Sequence, residues 1–329
     1  MMKNLKDGLS LVQLTLQMMR LMRYFLHLPP QINEPWVTFT AEEDNSSIGL
    51  AKLSTNQTLE YSTDTTIWNT FDTSTNITLN NGDKVYVRGV LSGDNGEANY
   101  TRFAMSGKIA ASGNCNAIWN YEDLNAPLKV RCGYKMFFQC TTLTTAPELP
   151  ATVLADRSYE CMFYSCSSLT SAPELPATTL AKCCYSVMFS GCTSLTTAPE
   201  LPATTLASSC YGHMFENCTS LTTAPKLPAT ELDYCCYGMM FSGCTSLTTA
   251  PELPATTLAN ECYIEMFNGC SKLNHIKCLA TNISASMCTY NWVYKVPSTG
   301  TFVKHIDMNN WSNGTRGIPS GWTIVDAEV

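Results

Sequence analysis

The chain has 329 residues, 14% of them charged and 45% hydrophobic, with a formal net charge of −7 and a sequence pI of about 5.1. A composition this apolar excludes a disordered polypeptide, and the acidic balance, with no run of basic residues, speaks against a nucleic-acid groove. Seventeen cysteines would suggest a disulfide scaffold in a short secreted domain, but here most of them fall on a repeat, which points to packing instead.

Residues 1–33 place Leu5, Val12, Met19 and Leu26 seven residues apart, with Leu9 and Leu16 beside them. That spacing predicts an amphipathic helix ending at Pro29-Pro30. Lys3 and Lys6 before an apolar run loosely resemble a signal peptide. However, Gln13 and Gln17 interrupt the run, Arg20 and Arg23 follow it, and no small-residue cleavage site appears. The segment is too short and too polar to span a bilayer, so the chain is expected not to be transmembrane. Its expected role is attachment to virion proteins or to a second copy of the chain. A helix packed on its own chain and a degenerate signal remain as alternatives.

Residues 34–113 change character. Trp36–Thr40, Thr58–Tyr61, Asn76–Leu79 and Lys84–Arg88 alternate apolar with polar residues, as half-buried strands do. Asn81-Gly82-Asp83 and Gly93–Gly96 supply turns. A small antiparallel β-sandwich is predicted, without any cluster of titratable residues suited to catalysis.

Residues 114–296 repeat with a period of 26. Phe137, Phe163, Phe189, Phe215, Phe241 and Phe267 keep that step, as do Cys140, Cys166, Cys192, Cys218, Cys244 and Cys270. Pro147, Pro173, Pro199, Pro225 and Pro251 do the same. A period of this length without drift predicts a mixed β/α solenoid, a leucine-rich-repeat stack whose coils rest only on their neighbours. The recurring phenylalanines and cysteines are its expected core. The four- and five-residue spacings between Leu206, Cys210 and Met214-Phe215 suggest a short helical or 3₁₀ turn on the returning arc. Residues 297–329, with Thr301–Lys304, Trp311 and Gly321–Val325, read as a C-terminal cap.

The units Cys-Thr-Ser-Leu-Thr-Thr-Ala-Pro-Glu-Leu-Pro-Ala-Thr-Thr-Leu-Ala at 192–207 and 244–259 resemble BspA-like leucine-rich-repeat surface proteins of gut Bacteroidota and of phages infecting them. The resemblance extends more weakly to Leu59–Ser62, Asn81–Tyr86 and Gly317–Trp322. It implies a non-enzymatic adhesion protein on an exterior surface, phage virion or bacterial cell, whose partner is a host-surface protein or glycan. It carries over no catalytic residue, and no cofactor is expected.

A second cysteine column runs through Cys132, Cys184, Cys210, Cys236, Cys262 and Cys288. Neither column forms a Cys-x-x-Cys, and no histidine stands at ligand spacing, so no metal site is predicted. The expected state of both columns is reduced, buried thiol. The glutamates Glu148, Glu174, Glu200 and Glu252 form a further column, read either as a solvated face or as a surface for a cation or basic partner. Against the near-identical frame, one band around each Cys-Tyr pair varies freely. Candidate ligand-binding residues in it are Arg157, Glu160, Lys182, Ser186, Ser209, His213, Tyr234, Met239, Glu261 and Glu265. Unconstrained solvent-facing positions and a diversified recognition surface both account for such variation. The rival function is a structural virion decoration or fibre component with no specific ligand.

Overall fold

The computed structural model describes residues 34–328, so the amphipathic helix expected over residues 1–33 lies outside the described residues. The part from Pro35 onward forms one compact unit with a continuous apolar core running from Val37 to Trp322.

Its first portion is built from the strands β1 (Val37–Ala41), β2 (Ser46–Lys52), β3 (Gln57–Ser62), β4 (Asn69–Thr70), β5 (Asn76–Leu79), β6 (Lys84–Leu91), β7 (Arg102–Ser106), β8 (Ile109–Ser112) and β9 (Leu143–Thr145). They form two sheets, the larger in the order β4-β3-β6-β1-β8-β9 and the smaller β5-β2-β7. Pairing is antiparallel except at the end of the larger sheet, where β9 runs parallel to β8. Burial alternates along β6, with Val85, Val87 and Leu91 inside while Tyr86 and Arg88 are half-exposed. This is the period-two pattern of a strand with one wet face. The two sheets meet through Phe39 of β1 and Phe103 of β7, with ring centroids 5.1 Å apart.

The mixed β/α solenoid expected from the 26-residue period, a leucine-rich-repeat stack, is not what the structure contains. Among the described residues strands and bridges make up 24% and helix 2%, in three small sheets, and the helix is the five-residue Asn116–Asn120. Two physical causes account for the difference. Each unit carries two prolines in its extended part (Pro173 and Pro176, Pro199 and Pro202, Pro225 and Pro228), which lack the N–H a ladder needs. Pairing there is therefore reduced to single bridges such as Thr197↔Thr223 and Thr205↔Glu231.

The returning part is neither helix nor strand but a run of overlapping four-residue turns. From Ala155 to Cys166 one set of N–H groups bonds three residues back: Ser158 to Ala155, Glu160 to Arg157, Met162 to Tyr159, Tyr164 to Cys161 and Cys166 to Phe163. The intervening N–H groups of Arg157, Tyr159, Cys161, Phe163 and Ser165 cross to the carbonyls of Lys182, Cys184, Ser186, Met188 and Ser190 in the following unit. Every backbone donor from Arg157 to Cys166 is thereby satisfied without regular secondary structure. Every second turn demands positive φ at its third residue, and Arg157, Cys161 and Ser165 supply it at 55° each. The spacing of four between Cys210 and Met214 that suggested a helical turn is the repeat length of these turns.

Side chains follow the same register. The rings of Phe137, Phe163, Phe189, Phe215, Phe241 and Phe267 lie parallel at 5.3–5.8 Å, and all six are buried. A second column runs through Tyr159, Tyr185, Tyr211, Tyr237 and Tyr263. Toward the amino-terminal side the Phe column continues into the sheets, because Phe103 stacks on Phe137 at 5.2 Å. At the far end β10 (His275–Cys278), β11 (Thr301–Lys304) and β12 (Thr323–Asp326) form a parallel three-stranded sheet. Trp292 stacks on Trp311 and donates its indole N–H to the Gly317 carbonyl. No helix among the described residues is long and apolar enough to cross a membrane.

Candidate functional site

The variable band overlaps the positive-φ positions of the turns, which hold Arg157, Ser209, His213, Met239, Glu261 and Glu265 but not Glu160, Lys182, Ser186 or Tyr234. One such column reads Arg157, Cys183, Ser209, Cys235 and Glu261, and the next Cys161, Val187, His213, Met239 and Glu265, with φ between 49° and 60°. The third column accepts glycine, at Gly191, Gly243 and Gly269. Left-handed backbone costs an L-residue roughly 1–2 kcal/mol, and a β-branched residue such as Val187 more than most. Ten positions where glycine would be conformationally cheapest therefore hold side chains, and those side chains differ from unit to unit.

The structure distributes the sequence-predicted binding residues unevenly. Arg157 is half-buried and paired through its guanidinium with Glu160 at 2.9 Å, three residues on. His213 Nδ1 lies 2.9 Å from Glu216, and the Asn268 amide donates to Glu265. Lys182 and Tyr234 are exposed. The Tyr234 hydroxyl donates to Glu261 across one unit step at 2.8 Å, and that hydrogen bond raises its pKa. Ser209 and Met239 are half-exposed. Ser186 is buried and donates to the Gly212 carbonyl at 3.3 Å, so it belongs to the interior of the turns. The glutamates Glu148, Glu174, Glu200 and Glu252 are exposed, and Glu252 pairs with Lys277 at 3.0 Å.

All seventeen cysteines are free thiols. In the first column each thiol after Cys140 donates to the carbonyl of the phenylalanine one unit before it: Cys166 to Phe137, Cys192 to Phe163, Cys218 to Phe189, Cys244 to Phe215 and Cys270 to Phe241, at 3.0–3.1 Å. Burial drives their pKa upward, to about 12 for Cys192 and Cys270. These groups are poor nucleophiles by that shift, since the thiolate is the reactive form. Cys161 and Cys235 are the half-exposed members.

Sequence reasoning missed a second gathering of side chains, where β2 and β7 meet the first repeat unit. Lys52 and Arg102 are register neighbours on those strands, and the Phe103 N–H bonds the Met136 carbonyl, which brings β7 against the turn carrying Lys135. The Lys52 ammonium sits 4.3 Å from the Tyr100 ring centroid. Lys135 lies 4.9 Å from Tyr134, 5.4 Å from Phe138 and 5.7 Å from Tyr100. Phe138 stacks on Tyr164 at 4.8 Å. No stretch of sequence contains this group, because its members come from four separate segments. The one local signal is Phe138 and Tyr164, aromatic at a position where later units have Ser190, Glu216 and Ser242.

Compared with known proteins, the chain matches no family model, no curated protein and no solved structure.

Proposed function

We propose that this chain is a non-enzymatic binding protein displayed on an exterior surface, of a phage virion or a bacterial cell, that recognises a host-surface protein or glycan through the variable positions of its repeat region. The likeness of its units to BspA-like surface proteins supports that setting. The observation that carries the reading is the filling of strained, left-handed positions with diverse side chains. Strain retained at positions that a glycine would relieve is a pointer to function, and in this frame it recurs unit after unit while the buried residues stay nearly constant.

The test is a variant in which Arg157, Lys182, His213, Tyr234, Met239, Glu261 and Glu265 are all made serine, as position 209 already is. Glycan arrays and pull-downs from host-surface extracts, run on wild type and variant, should show interactions that the variant loses while its melting curve is retained. A variant that keeps every interaction overturns the reading. The rival, a decoration or fibre subunit without a ligand, draws on the unbroken ring columns, which would make a stiff rod. Wild type that binds nothing on either platform, but is recovered in stoichiometric amount from purified virions, would establish that rival.

A further inference from the structure

The junction between the sheets and the first repeat unit concentrates cations and aromatic rings in a protein that is otherwise acidic, with net charge −7. Lys52, Arg102 and Lys135 converge there from β2, β7 and the first turn segment, and none of the three makes an ion pair among the described residues. The nearest acid–base pairs are already closed on themselves: Arg131 with Glu97 at 3.1 Å and Arg157 with Glu160 at 2.9 Å. Tyr100, Phe138 and Tyr164 stand among these cations, each half-exposed. A hydrogen bond with Tyr134 raises the Lys135 pKa further, so this ammonium stays charged at neutral pH.

We propose that this patch is a binding site for an acidic saccharide, a sugar carrying a carboxylate or sulfate, with the anionic group held by Lys52, Arg102 and Lys135 and the sugar ring packed against Phe138 and Tyr164. Unpaired cations beside one another repel, and an anion placed among them removes that cost while forming charge-assisted hydrogen bonds. The aromatic rings add flat apolar surface of the kind that favours a partner with one apolar and one wet face. A single anionic sugar suits the site better than a polynucleotide does. A strand tracking away from three cations would meet a surface with net negative charge, without the continuing basic groove that such binding uses.

Lys135 stands one unit before Cys161 in the same positive-φ column, but the site uses none of the residues altered in the all-serine variant, so the two readings fail independently. The experiment titrates full-length protein with a sialylated trisaccharide, an oligogalacturonate, a sulfated disaccharide, the methyl ester of the oligogalacturonate and a dT12 oligonucleotide. Binding is read by calorimetry and by ligand-observed NMR at low and high salt. At least one acidic sugar should bind, more weakly at high salt, with the neutral ester about tenfold weaker or worse, the loss of one charge-assisted hydrogen bond. The Lys52→Ala/Arg102→Ala variant should lose that binding by about tenfold or more and Phe138→Ser/Tyr164→Ser by a smaller factor, while the all-serine variant of the variable band retains it. Melting curves report whether each variant is folded. If a patch variant is unfolded, Lys52→Gln, at a half-exposed position, replaces it. Binding of none of the acidic sugars overturns the proposal. So does binding unchanged in the folded patch variants, and so does tighter binding of dT12 that displaces the sugar.

Discussion

The two-sheet portion and the repeat region satisfy their buried backbones in opposite ways. Between β1 and β6, pairing runs residue for residue, Val37 against Val87 to Thr40 against Lys84, and side chains alternate in and out at a period of two. In the turn segments of the repeat region half of the N–H groups close a turn three residues back and half reach 25 residues ahead, as from Tyr159 to Cys184. The lesson is that a core can be assembled from a backbone with no regular ladder, provided every donor has an assigned partner. The burden then shifts to positive-φ residues, which the sheets use sparingly, at Asn45 and Thr65 among non-glycines.

The largest expected contrast is in alkali. The strands of the two sheets contain no cysteine, whereas burial pushes repeat-region thiols such as Cys140, Cys192, Cys236 and Cys270 from an ordinary value of 9.0 to about 12. Their folded pKa is raised, so the protonated thiol is favoured by folding. The stability involved is fully present below pH 9 and is lost as pH rises from about 9 to about 12. Urea midpoints should hold steady from pH 7 to 8.5 and then fall steeply; a flat profile to pH 11 would mean that the thiols are not buried.

Next in size is the ring column. Phe215→Ala removes a ring stacked at 5.7 and 5.8 Å on its two neighbours and should cost about 3–5 kcal/mol in chemical denaturation. An unchanged midpoint would place this side chain outside the core. In the sheets the corresponding weak point is a glycine rather than a ring. A Cβ at Gly89 would stand 2.4 Å from Leu59 Cδ2 and 2.5 Å from the Thr58 carbonyl oxygen. Gly89→Ala is therefore expected to destabilise by about 2–3 kcal/mol through overpacking, and a neutral result would show that β3 and β6 can separate freely.

A smaller effect isolates the thiol bond. Cys218→Ala deletes the donation to the Phe189 carbonyl and should cost about 1–2 kcal/mol, the sum of a lost hydrogen bond and a small void. The smallest prediction has the opposite sign. Val187→Gly, at φ 60°, should stabilise the protein by up to about 1 kcal/mol, because release of left-handed strain outweighs the added unfolded-state freedom. A melting temperature that drops on this change would show that Val187 is held by packing rather than tolerated against its backbone.

Much of the repeat was legible as periodicity: the 26-residue step identifies which phenylalanines and cysteines are buried together. What the sequence concealed was the backbone between them. Turns with positive φ at the third position ordinarily advertise themselves by Gly or Asn, but here those places hold Arg157, Cys161, Val187, His213 and Glu265. A turn repeat of four also returns Cys210 and Met214 to one face much as a helix would, so the spacing alone imitated a helical arc. The basic and aromatic patch was hidden for a different reason. Lys52, Arg102 and Lys135 are isolated in the chain, and only the seam between β7 and the first turns brings them together.

The crossing hydrogen bonds carry a consequence for how such a gene can change length. Each bond depends on an offset of 25 residues and each ring contact on one of 26, never on the absolute position of the unit. Recombination between near-identical segments that removes or duplicates 26 codons leaves every donor facing an acceptor and every ring facing a ring. A slip of one codon more or fewer puts the left-handed turn positions opposite the wrong partners throughout that unit. The coding sequence can thus be lengthened or shortened in whole units, each bringing a fresh set of outward side chains, while fractional changes are removed because they fail to fold.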